Sequence, residues 1–491
     1  MSQTVSATVS EETWTLRGYE MVVGLEVHVE LATRTKLFSA SPNRFGDEPN
    51  TNIDPVTLGL PGALPVLNRQ AVELAMRLGL ALDCTVQRST FARKNYFYPD
   101  MPKAYQISQY DEPICVDGWL DLPGSIRVGI ERAHLEEDTG KSTHVGGTGG
   151  RIHGSDFSLI DFNRAGVPLV EIVSRPDIRT PEQAKAYVSE LRAILVAVGA
   201  SDAKMEEGSM RVDANVSVRL PGAEFGTRCE IKNVNSVRSV GRAIEYEAQR
   251  QVAMLEAGES IRQETRHWDE NDGRTHMLRS KEDADDYRYF QEPDLVVVDP
   301  DPEWIERVRW ALPVLPAARR ARLAEVTGQS ADAEAILVVT DRDQDAYVLA
   351  VAGAGGDAGR ALVHVKEAFA EQGERPSVPV ADLAQLTRLE IDGKLTATQA
   401  KQVLAEIVAN GGGDAEAIAA SKGFEAMDTS ELESVVDDAI AAQPEAWSKF
   451  CAGEAKAMGA LVGAVMKASS GQADGKAVTA LLEARRDIAN A

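Results

Sequence analysis

YEMVVGLEVHVEL, residues 19–31, alternates with a period of two. Leu25, Val27, Val29 and Leu31 fall on one side, and Glu26, His28 and Glu30 on the other. That is the pattern of a strand with one face in a core. The same period puts Glu26 and His28 on one face with Cα atoms roughly 6–7 Å apart, so both side chains can converge on a cation. A solvated polar face explains this strand alone equally well.

Other segments repeat the pattern. In RVDANVSVRL (211–220), residues 212, 214, 216 and 218 oppose Asp213, Asn215 and Ser217. In RCEIK (228–232), Cys229 and Ile231 oppose Arg228, Glu230 and Lys232. The acidic run His134–Asp138 leads into a Gly-Lys-Ser-Thr-His turn, and Glu171 sits inside the apolar stretch Leu169–Val173. A carboxylate placed there is costly unless paired or metal-bound. Several strands each offering an acid or a histidine predict an oxygen-rich site for Mg²⁺, with one imidazole admitting Mn²⁺.

From these strands the fold class follows as α+β. Up to about residue 300 the chain carries strand alternation and nearly all its His, Tyr and Phe; beyond, it is Ala-rich and helix-periodic. The expected division is a flexible tail (1–18), a large mixed α/β cradle-like catalytic domain (19–305), a helical domain (306–410) and a small helical tail domain (411–491). Gly353–Ala358 and Gly411–Gly413 are candidate linkers, the second the better one. Thr180-Pro181 opens a packing helix with apolar residues at 184, 187, 188, 191, 194, 195 and 198, and Gly199 stops it.

Composition excludes several classes. With 491 residues, 44% hydrophobic and 26% charged, the chain is an ordinary globular protein large enough for several domains. No apolar run spans a bilayer and the N-terminus is no signal peptide, so no membrane is involved and the expected location is cytoplasmic. Four scattered cysteines without CxxC pairing argue against a zinc ribbon or disulfide framework. A net charge of −24 makes nucleic-acid contact a matter of local basic patches. Gly140-Lys141-Ser142 is no P-loop, because Leu135 stands where its first glycine belongs and three acids precede Gly140. No G-x-S-x-G or amidase signature appears, so the chain does not hydrolyse glutamine by itself.

Long ordered blocks carry a resemblance. GLEVHVEL (24–31), TKLFS (35–39), RKNYFYPDMPKAYQISQYD (93–111), RAHLEEDTGKSTH (132–144) and DFNRAGVPLVEIVSRPD (161–177) resemble the B-subunit family of the glutamine-dependent aspartyl/glutamyl-tRNA amidotransferases. MEEGSMRVDANVSVR (205–219), EIKNVNSVRSVGRAIEYEAQRQ (230–251), DDYRYFQEPDL (285–295) and GEAKAMGALVGAVMKASSGQAD (453–474) continue it over essentially the whole chain. The resemblance implies one component of an ATP-dependent carbon–nitrogen ligase. It phosphorylates the side-chain carboxylate of mischarged Asp-tRNA(Asn) or Glu-tRNA(Gln), and ammonia then displaces the phosphate. Implied partners are the amidase A-subunit and the small C-subunit in a heterotrimer, the mischarged tRNA and a non-discriminating aminoacyl-tRNA synthetase. Implied catalytic and metal residues are Glu26, His28, Glu137, Asp213 and Glu230, with Glu171 as a further metal ligand; Glu137 is preferred to Glu136 on resemblance alone. Lys94, Tyr96 and Lys103 match an ammonia channel, with phosphate or surface contact as the alternative, and the aromatic run 96–99 reads as packing. Arg164, Lys232 and Asn233 are expected at the ATP phosphates. Lys456, Lys467, Lys476, Arg485 and Arg486 are expected on tRNA. The competing reading is a non-catalytic tRNA-binding scaffold of the same complex.

Overall fold

The computed structural model describes residues 15–146, 154–280, 287–373, 376–424, 429–469, 473 and 475–489; the Asn233 and Lys476 side chains and most of the Gly-rich 145–154 stretch lie outside the described residues. Two compact units divide the chain, Met1–Leu315 and Pro316–Ala491. The α+β expectation holds: a sheet unit precedes an all-helical one.

The first unit contains strands β1 (Thr15–Leu16), β2 (Tyr19–Glu30), β3 (Thr85–Val86), β4 (Ala92–Asn95), β5 (Tyr105–Ser108), β6 (Cys115–Leu122), β7 (Ile126–Glu137), β8 (Lys141–Val145), β9 (Phe157–Asp161), β10 (Pro168–Ser174), β11 (Met210–Arg219), β12 (Cys229–Val234), β13 (Glu264–Asp269), β14 (Arg274–Ser280) and β15 (Phe290–Gln291). Its helices are α1 (Arg69–Ala81), α2 (Pro181–Ala197), α3 (Val237–Glu256) and α4 (Pro302–Trp310). The main sheet runs β14-β13-β12-β11-β2-β10-β7-β5-β4-β15. Pairing is antiparallel throughout this path except β12–β13. The Gly-Lys-Ser-Thr-His segment, expected as a turn, instead opens strand β8, which forms a separate hairpin with β9.

β2 lies mid-sheet, and Leu25, Val27 and Val29 are fully buried. They share a core with apolar residues of β7, β10 and β11 and with α1, α2 and α3, which pack on that face. Thr180 caps α2 as its sequence requires: its hydroxyl accepts from the Gln183 N–H at 3.0 Å. The expected boundary at 305/306 falls inside α4, whose Val308 belongs to the first core and whose Trp304 carries the Arg69 guanidinium of α1 at 4.8 Å.

Helices from α5 (Pro316–Thr327) to α15 (Gly475–Ala489) build the second unit around two cores. Gly411 ends the helix Ala397–Asn410 at φ +68°, a conformation glycine adopts without strain. Ala415 and Ala419 still belong to the first of these cores, so the glycine break joins two helices of one core, and the tail core begins at Leu432. Gly353–Ala358 likewise joins two helices of that first core. None of the four cysteines forms a disulfide, and no described helix is long and apolar enough to cross a membrane.

Candidate functional site

Opposite the apolar core, the same sheet carries a polar face. In antiparallel pairing, residues directly across from each other point the same way. Register therefore aligns His28 of β2, Glu171 of β10 and His134 of β7 in one row. His28 Nε2 lies 3.4 Å from Glu171 Oε2 and 3.8 Å from Glu136 Oε1, and His134 Nε2 is 3.6 Å from Glu171. Ligand atoms of His28, Glu136 and Glu171 all fall within 4.8 Å of one another. One imidazole and two carboxylates are a donor set that suits Mg²⁺ or Mn²⁺. They line a cavity of about 340 Å³ with Glu26, Lys94, Arg132, Glu230 and Lys232. Ser108, Tyr110, Tyr287 and Tyr289 close other parts of its wall, and Tyr110 stacks on Tyr289 with centroids 4.0 Å apart.

Crowded acids dominate the electrostatics. Burial, then the charges of Glu171, Glu230 and Asp213, push the Glu26 carboxyl up; burial and Glu171 do the same to Glu136. Glu171 itself is held well below the usual range: burial opposes ionisation, but His134, His28 and Lys94 outweigh it. Burial disfavours the charged form of His28, yet the hydrogen bond and charge of Glu171, with Glu136 behind it, carry it up to about 9. His134, farther inside, is pushed down to about 4 by burial. Lys94 stays protonated despite burial because Glu136, Tyr289 and Glu171 surround it. A cation between these carboxylates would relieve their mutual repulsion.

One expected ligand is displaced. Glu137 points through the opposite face of β7, where its carboxylate accepts from Lys103 Nζ at 2.7 Å and from the Ile107 N–H at 3.0 Å. Strand alternation puts Glu136 in the cavity in its place. Gln109 braces the strand there, its Oε1 accepting from the backbone N–H groups of Leu135 at 2.9 Å and Ile114 at 3.4 Å.

The remaining expected residues divide. Glu26, His28, Lys94, Glu171, Glu230 and Lys232 come together in the cavity. Asp213 stands opposite Glu26 in the β11–β2 register but does not line the cavity; Lys232 Nζ pairs with it and reaches Glu230 at 3.1 Å. Burial works against the Lys232 charge, but Asp213 and Glu230 hold it firmly protonated. Arg164 lies elsewhere: it donates to the carbonyls of Thr139 and Gly140 and lines a different cavity with Glu30 and Lys141. Tyr96 also stays outside, its ring 4.6 Å from that of Tyr98, and the run expected as packing is open, with Phe97 66% exposed. In the tail, Arg485 is bound to Asp437 and Glu433 and Arg486 to Asp487, while Lys456 and Lys449 line one surface hollow. The described elements place Lys467 near the end of the helix Ala455–Ala468. Sequence reasoning missed Glu136 and His134 as site residues; their i, i+2 spacing was the available signal.

Residues 21–306 match the family described as the GatB/GatE catalytic domain, and residues 364–485 match the one described as the GatB domain. The chain is 51% identical over 484 residues to the B-subunit of the aspartyl/glutamyl-tRNA(Asn/Gln) amidotransferase from Corynebacterium glutamicum, covering 95% of this chain and 98% of that one. Relatives of the same name from Frankia casuarinae (50%, covering 96% and 97%) and Salinispora arenicola (51%, covering 94% and 96%) are similar over 488 and 478 residues. The chain belongs to the B-subunit family of the aspartyl/glutamyl-tRNA(Asn/Gln) amidotransferases.

Proposed function

We propose that this chain is the kinase and amide-forming component of a tRNA-dependent amidotransferase. It activates the side-chain carboxylate of Asp-tRNA(Asn) or Glu-tRNA(Gln) with ATP, giving an acyl phosphate and ADP. Ammonia then displaces phosphate, with loss of a proton, to leave the amide. The reading is carried by the cluster of His28, Glu136 and Glu171, a donor set built for a hard divalent cation inside one cavity. When bound there, Mg²⁺ would supply neutralisation of charge on the nucleotide's phosphate oxygens.

Other residues of the chain do the rest. Lys94 and Lys232, with Arg132 and Arg228, set positive charge against the carboxylates of the cavity, where transferring phosphate oxygens need it. His134 and Arg132 hold Glu171 from its other side. Glu26 accepts from the Asn215 amide at 2.8 Å, which fixes its orientation. Ammonia comes from a separate amidase chain, with a small third chain completing the complex, since no nucleophile elbow or amidase signature occurs in this one. Lys103 suits a place on that route only if its ion pair with the buried Glu137 opens. The tail contributes Lys449 and Lys456 to the tRNA body.

An amidation assay tests this. The assembled complex receives both mischarged tRNAs, ATP, Mg²⁺ and an ammonium salt, and the esterified amino acid is analysed. His28→Ala or Glu136→Ala should cut amide formation by about a hundredfold or more. Undiminished amidation in either variant would overturn the site. Amidation without ATP would overturn the reaction.

A further inference from the structure

Beyond Lys232 the polar face of the sheet continues onto the hairpin of β13 and β14. The parallel register sets His267 beside Lys232, and the antiparallel register sets His276 directly opposite His267. Partners of that kind point to the same side of a sheet. Trp268, next along β13, turns the other way into the core. A chain of 491 residues with only seven histidines thus holds two of them face to face. Their ring centroids lie 5.5 Å apart, with the planes 28° from parallel. Two carboxylates join them. Asp272 Oδ2 is 2.7 Å from His276 Nε2, and ligand atoms of Asp269, Asp272 and His276 all lie within 4.8 Å of one another. The turn holds both acids in place: Asp269 Oδ1 accepts from the Asn271 N–H and Asp272 Oδ1 from the Arg274 N–H, each at 3.0 Å. The side chains of His276 and Asp272 are 40% and 44% exposed, so an ion has an open way in.

We infer that His267, Asp269, Asp272 and His276 bind a divalent transition-metal ion of the Zn²⁺ kind, at a site separate from the His28 cluster. The paired imidazoles set the choice. One nitrogen among carboxylates, as in the first cavity, suits a hard cation, whereas two nitrogens favour Zn²⁺, Co²⁺ or Ni²⁺ over Mg²⁺. The dimensions agree. Around a tetrahedral Zn²⁺, neighbouring ligand atoms stand roughly 3.3 Å apart and two imidazole centroids roughly 5 Å apart. The observed ring spacing is close to that, and the ion takes the place of the hydrogen between Asp272 and His276 with a small widening of their contact. A plain ion pair explains the 2.7 Å contact but not the second imidazole against the first. Four protein donors complete a tetrahedron and leave no open position, so the ion is a structural staple and activates no water. It clips the edge strand β14 to β13, whose Thr265 hydroxyl donates to Glu230 of the first cavity at 2.9 Å.

Equilibrium dialysis of the full chain against Zn²⁺, with excess Mg²⁺ throughout, tests this, and Co²⁺ serves as a spectroscopic probe of the coordination. His28→Ala disables the first cluster. In that background one Zn²⁺ should still bind, and Co²⁺ should give the intense visible bands of a four-coordinate ion without the near-ultraviolet band of a thiolate ligand. Adding His267→Ala or His276→Ala should weaken Zn²⁺ binding about a hundredfold, and Asp272→Asn, a smaller change in the exposed turn, about tenfold. Circular dichroism checks that each variant is folded. The same difference of one ion should separate the wild-type chain from its His276→Ala variant. Absence of bound Zn²⁺ in the His28→Ala background overturns the site, as does uptake that survives His267→Ala or His276→Ala undiminished. A thiolate band assigns the ion to a cysteine and overturns it too.

Discussion

Replacing Glu137 by Gln strands the Lys103 ammonium in a site where its side chain is 7% exposed and that of its partner 4%. Breaking a buried pair from one side costs about 3–5 kcal/mol, because the surviving charge keeps its desolvation penalty. The neighbouring substitution should behave oppositely. Glu136 sits among carboxylates, pushed up by burial and by Glu171, so Glu136→Gln should raise the stability of the cation-free chain by roughly 0.5–2 kcal/mol while removing a cation ligand. Urea unfolding followed by tryptophan fluorescence reads this in the first unit, where Trp119, Trp268 and Trp304 reside. Isothermal titration with Mg²⁺ reads the second effect. Adding Lys103→Met to Glu137→Gln should recover most of the loss, since no buried charge then remains. If Glu137→Gln costs under about 1 kcal/mol, or Glu136→Gln destabilises as much, the assignment of the two residues to opposite faces is wrong.

Other perturbations follow from the same chemistry. Glu30 is pushed up to about 8, first by burial and then by Asp138, from an ordinary 4.5. Its bound proton therefore stabilises the fold fully below about 4.5 and ceases to as pH rises through about 8; Glu30→Gln should flatten that decline in a pH series of urea melts. His134 has the reverse sign: depressed from 6.5 to about 4, it favours the fold above 6.5 and loses that contribution as pH falls to 4, which His134→Gln should remove. Glu247, fully buried, accepts from Arg250, Gln251 and Thr275 and ties α3 to β14, so Glu247→Ala should lower stability by about 3–5 kcal/mol in thermal or urea denaturation. In the tail, Lys449→Glu with Lys456→Glu should weaken tRNA binding and reduce its salt slope by about 1–2 in filter binding at several ionic strengths. Arg485→Ala, which breaks only half-exposed pairs with Asp437 and Glu433, should barely move the urea midpoint and leave that slope unchanged.

Much of this was legible in the chain itself. β2 and β11 show clean alternation because one face packs on helices and the other lines a cavity, so the direction of Glu26 and His28 could be read directly. The α2 helix was equally plain, since Thr180, Pro181 and Gly199 are local signals. β7 was not. Its last residues, Glu136 and Glu137, are both buried carboxylates, so residue type gives no contrast between the side that meets Glu171 and the side that meets Lys103. Arg164 failed for another reason: it sits in the connection between β9 and β10, where no periodicity sets direction, and tertiary contacts with Thr139 and Gly140 decide it. Charged tail residues could be counted but not sorted, because whether an arginine is free depends on acids some fifty residues away.

Gln109 acquires a wider meaning in this light. Beyond Leu135, the last core residue of β7, the sequence Glu136-Glu137-Asp138 offers carboxylates to both faces, so the very end of the strand has no hydrophobic contrast of its own to hold its pairing. The two backbone N–H groups that Gln109 holds add a side-chain tie to the alignment there. Misaligned molecules would be compact, soluble and of ordinary melting temperature, with a carboxylate still in the cavity but at the wrong reach. For Gln109→Leu, the fraction of competent molecules in a preparation is therefore a better measure of damage than any average stability. Folding fidelity at one glutamine becomes a condition for chemistry two strands away.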